Sequence, residues 1–296
     1  MTKHFIVCRP MGGLNDMLCQ ITKCIIYGRR TNREIVIDTC PTHFNDSLAN
    51  YLTPLQNDIT VVEKEWINQN PMLTSLPKLE CGLPISFKHH SEEGYLDVRS
   101  GQRLELDLTK EYKEDILVFQ AHGGGDASHG VSRFFKVNDR VSSLIESELS
   151  KLPVNYISIH FRATDFVLSQ DLKRLVDHVE SSAKALRGFN VFVATDSRRI
   201  LDACLEFFDP NFFFNFSGYL VEDECTLHHR ESKSVSTARQ REINQATFID
   251  LALLSYGTKL FLPWTGASGL FSGFGRLANS FNLDTVSRAS FFGIRR

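Results

Sequence analysis

Tyr156-Ile-Ser-Ile-His-Phe-Arg-Ala-Thr-Asp165 is a short apolar run that breaks into polar and charged residues. Its first five residues predict a buried strand, and Ser169–Leu186 behind it carries Leu172, Leu175, Val176, Val179 and Ala183 at helical spacing. The pattern repeats toward the carboxyl end. Asn190–Ala194 predicts a strand before a helix at Arg198–Phe207, Phe212–Phe216 one before Arg241–Ser255, and Lys259–Pro263 one before Ser268–Asn279. Strand-then-helix units in series predict a parallel sheet wrapped by helices.

Upstream, Phe5–Cys8 predicts a strand that breaks at Pro10-Met-Gly-Gly13, with a helix over Asn15–Arg30 and a strand at Glu34–Asp38. Residues 41–112 mix Pro, Asn and charge and predict loops and short strands. Ile116–Phe119 predicts a further strand, running into His122-Gly-Gly-Gly-Asp126, which suits either a close backbone approach to a ligand or a linker. Val141, Leu144, Ile145 and Leu149 mark a helix ending near Pro153. The expected organisation is two α/β domains facing each other, 1–130 and 131–296, with the boundary inside residues 123–140. The last helix has the option of packing back on the first domain.

A chain of 296 residues suits two such domains. Lys plus Arg is 33 and Asp plus Glu is 35, a net charge of −2, which argues against a general nucleic-acid or membrane-surface binder. With 23 Phe against 7 Tyr and 2 Trp, a large aromatic core is expected. Seven cysteines, an odd number without C-x-x-C spacing, predict free thiols and a reducing compartment. The amino end does not read as a signal peptide, and no apolar stretch is long enough to span a membrane. A cytoplasmic location is expected.

Ligands of open parallel sheets bind beyond the carboxyl ends of the strands, so the residues there are the candidates. After the first strand comes a glycine turn, Gly12-Gly13, opening a helix beside Asn15. Helix-start N–H groups attract anions, but the turn is neither Walker A nor G-x-G-x-x-G, and a purely structural turn fits as well. After Tyr156–Ile159 come His160, Arg162 and Asp165. Alternation places His160 and Arg162 on one side. Arg162 suits a phosphate, or an internal pair with Asp165 or His160. Asp196, after the next strand, suits either a helix N-cap or a nucleobase contact. Thr265, Ser268 and Gly269 form a small-residue turn able to hold phosphate or to cap a helix. The pairs His89-His90 and His228-His229 lack a complete ligand set, so no metal site is expected. Glu231–Arg241 reads as a polar loop, either inert or mobile over a ligand.

Taken in order, Pro10-Met-Gly-Gly-Leu-Asn15, His160-Phe-Arg-Ala-Thr-Asp165, Val193-Ala-Thr-Asp196, Leu227-His-His-Arg230 and Asp250-Leu-Ala-Leu-Leu-Ser255 resemble the motifs of the fucosyltransferase superfamily. The resemblance is nearest the α-1,6 branch that includes the rhizobial nodulation enzyme, with α-1,2-fucosyltransferases as relatives. It implies a GT-B architecture of two facing Rossmann-like domains with parallel sheets. It implies GDP-fucose as donor, an inverting transfer and no required metal. Carried over, Arg162 would grip the β-phosphate, His160 and Asp196 would hold guanosine, and Ser268 with its neighbours Thr265 and Gly269 would hold phosphate, beside the Gly12-Gly13 turn and Asn15. The branch's second arginine is replaced by Ala163, and its catalytic carboxylate falls at Gln170, beside Asp171. Asp165 and Asp171 are therefore the candidate general bases.

The expected partners are a nucleotide sugar and a glycan acceptor, with no nucleic acid and no membrane insertion. Peripheral association with a lipid-linked acceptor in polysaccharide or glycoconjugate synthesis fits this picture. The rival readings are a glycosyltransferase for another nucleotide sugar and a non-catalytic binding module for nucleotide sugar or glycan.

Overall fold

The computed structural model of the chain describes residues 3–75, 78–81, 87–90, 94–97, 106–121, 125, 128–163, 169–220, 236–263 and 272–296. They fall into two compact units, Met1–Lys136 and Val137–Arg296, divided within the 123–140 stretch where the sequence places the boundary.

In the first unit, β1 (Phe5–Cys8) leads through the glycine turn into α1 (Leu14–Arg30) and then β2 (Glu34–Ile37). The strands β3 (Ile59–Val61), β4 (Lys78–Cys81) and β5 (Ile116–Phe119) complete a five-stranded parallel sheet in the order β3-β2-β1-β5-β4. Every residue of β1 and β5 is buried, as a strand covered on both faces requires. Gly28 lets α1 lie against the sheet, because a Cβ there would come within 2.6 Å of Ile35 Cγ1. Gly12 turns the chain into α1 at φ +95°, a conformation that favours glycine.

The second unit opens with α2 (Asp139–Lys151), capped by Asn138, and continues through β6 (Ile157–Phe161), α3 (Ser169–Ala185), β7 (Val191–Thr195) and α4 (Arg198–Phe207). Then follow β8 (Phe213–Phe214), α5 (Thr237–Tyr256), β9 (Lys259–Phe261), α6 (Gly273–Leu283) and α7 (Thr285–Phe292). The four strands are parallel in the order β8-β7-β6-β9. Side chains of β6 alternate as expected. Ile159, Phe161 and Ala163 join Leu175, Val179, Val193 and Ile200 in one core cluster. Ser158 faces the other way and donates to Leu254 O.

The α/β class with parallel sheets is as read from the sequence, and most elements keep their expected places. Several boundaries differ. The strand at 156–160 is shifted to Ile157–Phe161, and Tyr156 instead sends its hydroxyl to Leu253 O. The strand expected at Phe212–Phe216 shortens to two residues, because Asn215 folds back to Val193 O and to the Gly218 N–H. The Thr237–Arg241 part of the expected polar loop is the start of α5, capped by Ser236; residues 221–235 lie outside the described residues. The last βα helix begins at Gly273 with Ser272 as its cap.

The aromatic core is present, with Phe135, Phe161, Phe248, Phe281, Phe291 and Phe292 fully buried. Cys8, Cys19, Cys24, Cys40 and Cys204 are free thiols. No described helix is long and apolar enough to cross a membrane. The last helix is anchored within the second unit. Ser142 of α2 donates to Phe292 O, Tyr256 Oη donates to Ile294 O, and Phe281 stacks on Phe291 at 4.9 Å. Truncating Phe291 would leave a hole at this three-ring junction. The Phe291→Ala variant is expected to lose about 3–5 kcal/mol of stability, read by denaturant unfolding.

Candidate functional site

The carboxyl end of the second sheet is where the charges meet. Strands β6 and β7 pair with His160 opposite Ala194 and Phe161 opposite Thr195, so the next residues, Arg162 and Asp196, are brought side by side. Arg162 Nη1 lies 2.7 Å from Asp196 Oδ2, and the two side chains are 12% and 9% exposed. Asp196 Oδ1 accepts the Ala163 N–H at 2.9 Å. One carboxylate therefore fixes both the guanidinium and the backbone that carries it. Among the described residues Arg162 pairs with this aspartate; Asp165, the other carboxylate weighed as its partner, lies outside them. Nor is Asp196 the cap of α4: Ser197 Oγ accepts the Ile200 N–H there.

His160 is buried beneath the start of α6. Its Nδ1 lies 3.4 Å from Ser272 Oγ, and its ring meets Phe274 at 5.3 Å between centroids. Burial pushes its pKa down to about 4, with the Asp196 charge opposing and the Arg162 charge assisting. The imidazole is therefore neutral near pH 7. Asp250 sits on α5 within an apolar run, which is the signal that marks it in the sequence. Ser217 donates to its Oδ2, while its buried Oδ1 has no hydrogen-bond partner among the described residues. Burial raises its pKa to about 7, against the pull of the Ser217 hydroxyl.

In the first unit, the carboxyl end of the sheet repeats the arrangement. Arg9, directly after β1, contacts Asp38, directly after β2, at 3.3 Å and Glu65 at 2.7 Å. Asp38 also accepts the Trp66 N–H, and burial raises its pKa against the attraction of Arg9. A charge directly after a strand is the sequence feature that flags both residues. Gly13 is the N-cap of α1 and contributes no side chain. Asn15, a candidate donor contact, is 4% exposed and ties the turn together internally. Its amide donates to Asp16 Oδ1 and Gly125 O, and its carbonyl accepts from Ser128 Oγ at 2.6 Å.

Asp165, Thr265, Ser268 and Gly269 lie outside the described residues, and so do His228-His229. Asp171 belongs to α3, but its side chain is likewise outside the description. Among the described residues, no three His, Cys, Asp or Glu side chains are grouped to hold a metal ion.

No family model matches the chain, and no curated protein matches it by sequence. Solved structures do match. The fucosyltransferase NodZ from Bradyrhizobium aligns over 94% of this chain and 92% of its own, with a TM-score of 0.60 at 18% identity. The fold is that of the fucosyltransferases. A NodZ α-1,6-fucosyltransferase soaked with GDP-fucose aligns over 93% of this chain and 91% of its own, with a TM-score of 0.58 at 19% identity. POFUT1 in complex with GDP-fucose aligns over 95% and 94%, with a TM-score of 0.50 at 13% identity. In this chain the fucosyltransferase fold carries the Arg162–Asp196 pair at the carboxyl ends of two adjacent strands.

Two predictions follow from the buried charges. Removing one partner of a buried pair is strongly destabilising, so Asp196→Ala is expected to lose about 3–5 kcal/mol in denaturant unfolding. The second concerns pH. Folding lowers the His160 pKa from 6.5 to about 4 and raises that of Asp250 from 3.8 to about 7. Between roughly pH 4 and 6.5 the unfolded chain holds the extra proton at His160, and the folded chain holds it at Asp250. His160 thus makes stability rise with pH and Asp250 makes it fall, each by up to about 1.4 kcal/mol per pH unit. Stability measured against pH is expected to tilt upward, relative to wild type, in Asp250→Asn. In His160→Gln it is expected to tilt downward.

Proposed function

We propose that this protein is an inverting glycosyltransferase that moves fucose from GDP-fucose to a hydroxyl of a glycan, without a metal, in polysaccharide or glycoconjugate synthesis. The observation that carries this reading is the Arg162 guanidinium, held by Asp196 beyond the carboxyl end of a central strand. Two further facts support it: the ordered motifs of the chain, and a fold shared with an α-1,6-fucosyltransferase soaked with GDP-fucose.

The chemistry asks for such a cation. As the bond from sugar to diphosphate breaks, negative charge grows on the leaving β-phosphate. A positive group already in place stabilises that charge more in the transition state than in the ground state. Arg162 has this role in the proposal, and Asp196 is its positioning residue, since an anchored fork needs no reorganisation when the charge appears. His160 would contact the nucleotide. The Gly12-Gly13 turn and residues Thr265, Ser268 and Gly269 would supply further donors to it. Asn15 would act by shaping the turn. Asp165 and Asp171 are the candidates to take the proton from the acceptor hydroxyl. The acceptor would be soluble or lipid-linked, met in the cytoplasm.

The test is calorimetric titration with GDP, UDP and GDP-fucose, followed by release of GDP from GDP-fucose with and without glycan acceptors. GDP and GDP-fucose are expected to bind in preference to UDP. A preference for UDP would replace the donor, and GDP binding without turnover on any acceptor would leave a binding module. Arg162→Ala is expected to slow turnover by roughly 100-fold or more, the scale for loss of one preorganised charge-stabilising donor. A rate within a few-fold of wild type would remove Arg162 from the mechanism.

A further inference from the structure

Among the described residues, Ser272 Oγ has two polar neighbours and one hydrogen to give. Its Oγ accepts the Gly275 N–H at 3.1 Å as the N-cap of α6, and it lies 3.4 Å from His160 Nδ1. The cap occupies one of the two oxygen lone pairs, and Nδ1 is the acceptor within reach of the hydroxyl hydrogen among the described residues. A neutral imidazole carries a single N–H, so a ring that accepts at Nδ1 has its proton on Nε2. The close approach is built into the chain: a Cβ on Gly275 would stand 3.0 Å from Nδ1 and crowd the ring. Phe274 flanks the same ring.

We propose that Ser272 is a positioning residue that locks His160 in the Nε2–H tautomer. The strand end beside Arg162 thereby gains a neutral hydrogen-bond donor for an oxygen of the nucleoside diphosphate. This deepens the GDP-sugar reading above and rests on it for the identity of the ligand. The tautomer itself does not depend on that reading. A neutral donor two residues from the ion-paired Arg162 adds directionality without adding a second charge that Asp196 would have to balance.

The experiment is nitrogen-15 NMR of the imidazole rings in the full chain at neutral pH, with the His160 signals assigned by their loss in His160→Gln. GDP titration accompanies it. Two variants separate the effects. Ser272→Gly removes the hydroxyl without adding charge, and glycine is tolerated as an N-cap. Ser272→Asn keeps an oxygen for the cap and an N–H for Nδ1. Wild type is expected to show a protonated Nε2 and an unprotonated Nδ1. In Ser272→Gly the Nδ1–H form is expected to become populated and GDP affinity to fall about tenfold, the scale of one neutral hydrogen bond. Ser272→Asn is expected to restore both.

A protonated Nδ1 in wild type overturns the proposal, even if the glycine variant does not fold. So does a Ser272→Gly protein that keeps the wild-type tautomer, or one that loses it and still binds GDP as tightly as wild type. If wild type shows the Nε2–H ring yet binds no GDP, the ligand in the proposal is overturned together with the donor reading, while the lock stands.

Discussion

The pairing of Arg162 with Asp196 is the constraint on which the carboxyl edge of the second sheet depends. A guanidinium only 12% exposed is costly to hold without a counter-charge, and the aspartate from the neighbouring strand supplies it at 2.7 Å. The parallel register makes this inevitable once β6 and β7 are aligned, because each charge is the first residue beyond its strand. The second oxygen of the same carboxylate takes the Ala163 N–H, so the chain leaving β6 is held as firmly as the side chain. What results is a cation whose direction is set before any ligand arrives.

Beside that pair and elsewhere in the second unit, burial shifts ionisable groups toward their uncharged forms. Burial holds His160 neutral and brings Asp250 to a pKa of about 7. Serines cap the starts of α4, α5 and α6, and their short side chains satisfy the first helical N–H groups. One of them, Ser272, also reaches His160. The first unit uses the same device. Cys8 pairs with Ile37 in the register of β1 and β2, and the next residues, Arg9 and Asp38, form an ion pair. There the arginine also meets Glu65, so two carboxylates share one guanidinium and the local balance is negative. The two sheets thus use one structural rule, with a second carboxylate added in the first unit.

Much of this was legible in the residues. Apolar runs of four or five residues followed by helices at 3.6 spacing gave β1, β5, β6, β7 and their helices within a residue or so. The strand-end rule picked out His160, Arg162 and Asp196. That Asp196 pairs with Arg162 was not legible, since sequence distance says nothing about register. The role of Asn15 was hidden for a similar reason, because its partners Gly125 and Ser128 come from far along the chain. Asp250 was visible as a carboxylate inside an apolar helix, but its burial and, among the described residues, its unpartnered oxygen were not.

The sequence by itself determined the alternation of strands and helices, the glycine turn at residues 12 and 13, and the set of polar residues that follow the strands. These are local properties, fixed by side-chain periodicity and by the backbone freedom of glycine. Only the tertiary structure decided which charge faces which, that His160 lies under α6, and that α7 is anchored to α2. Those outcomes depend on strand register and helix packing, which join residues far apart in the chain and leave no mark in the neighbourhood of any one of them.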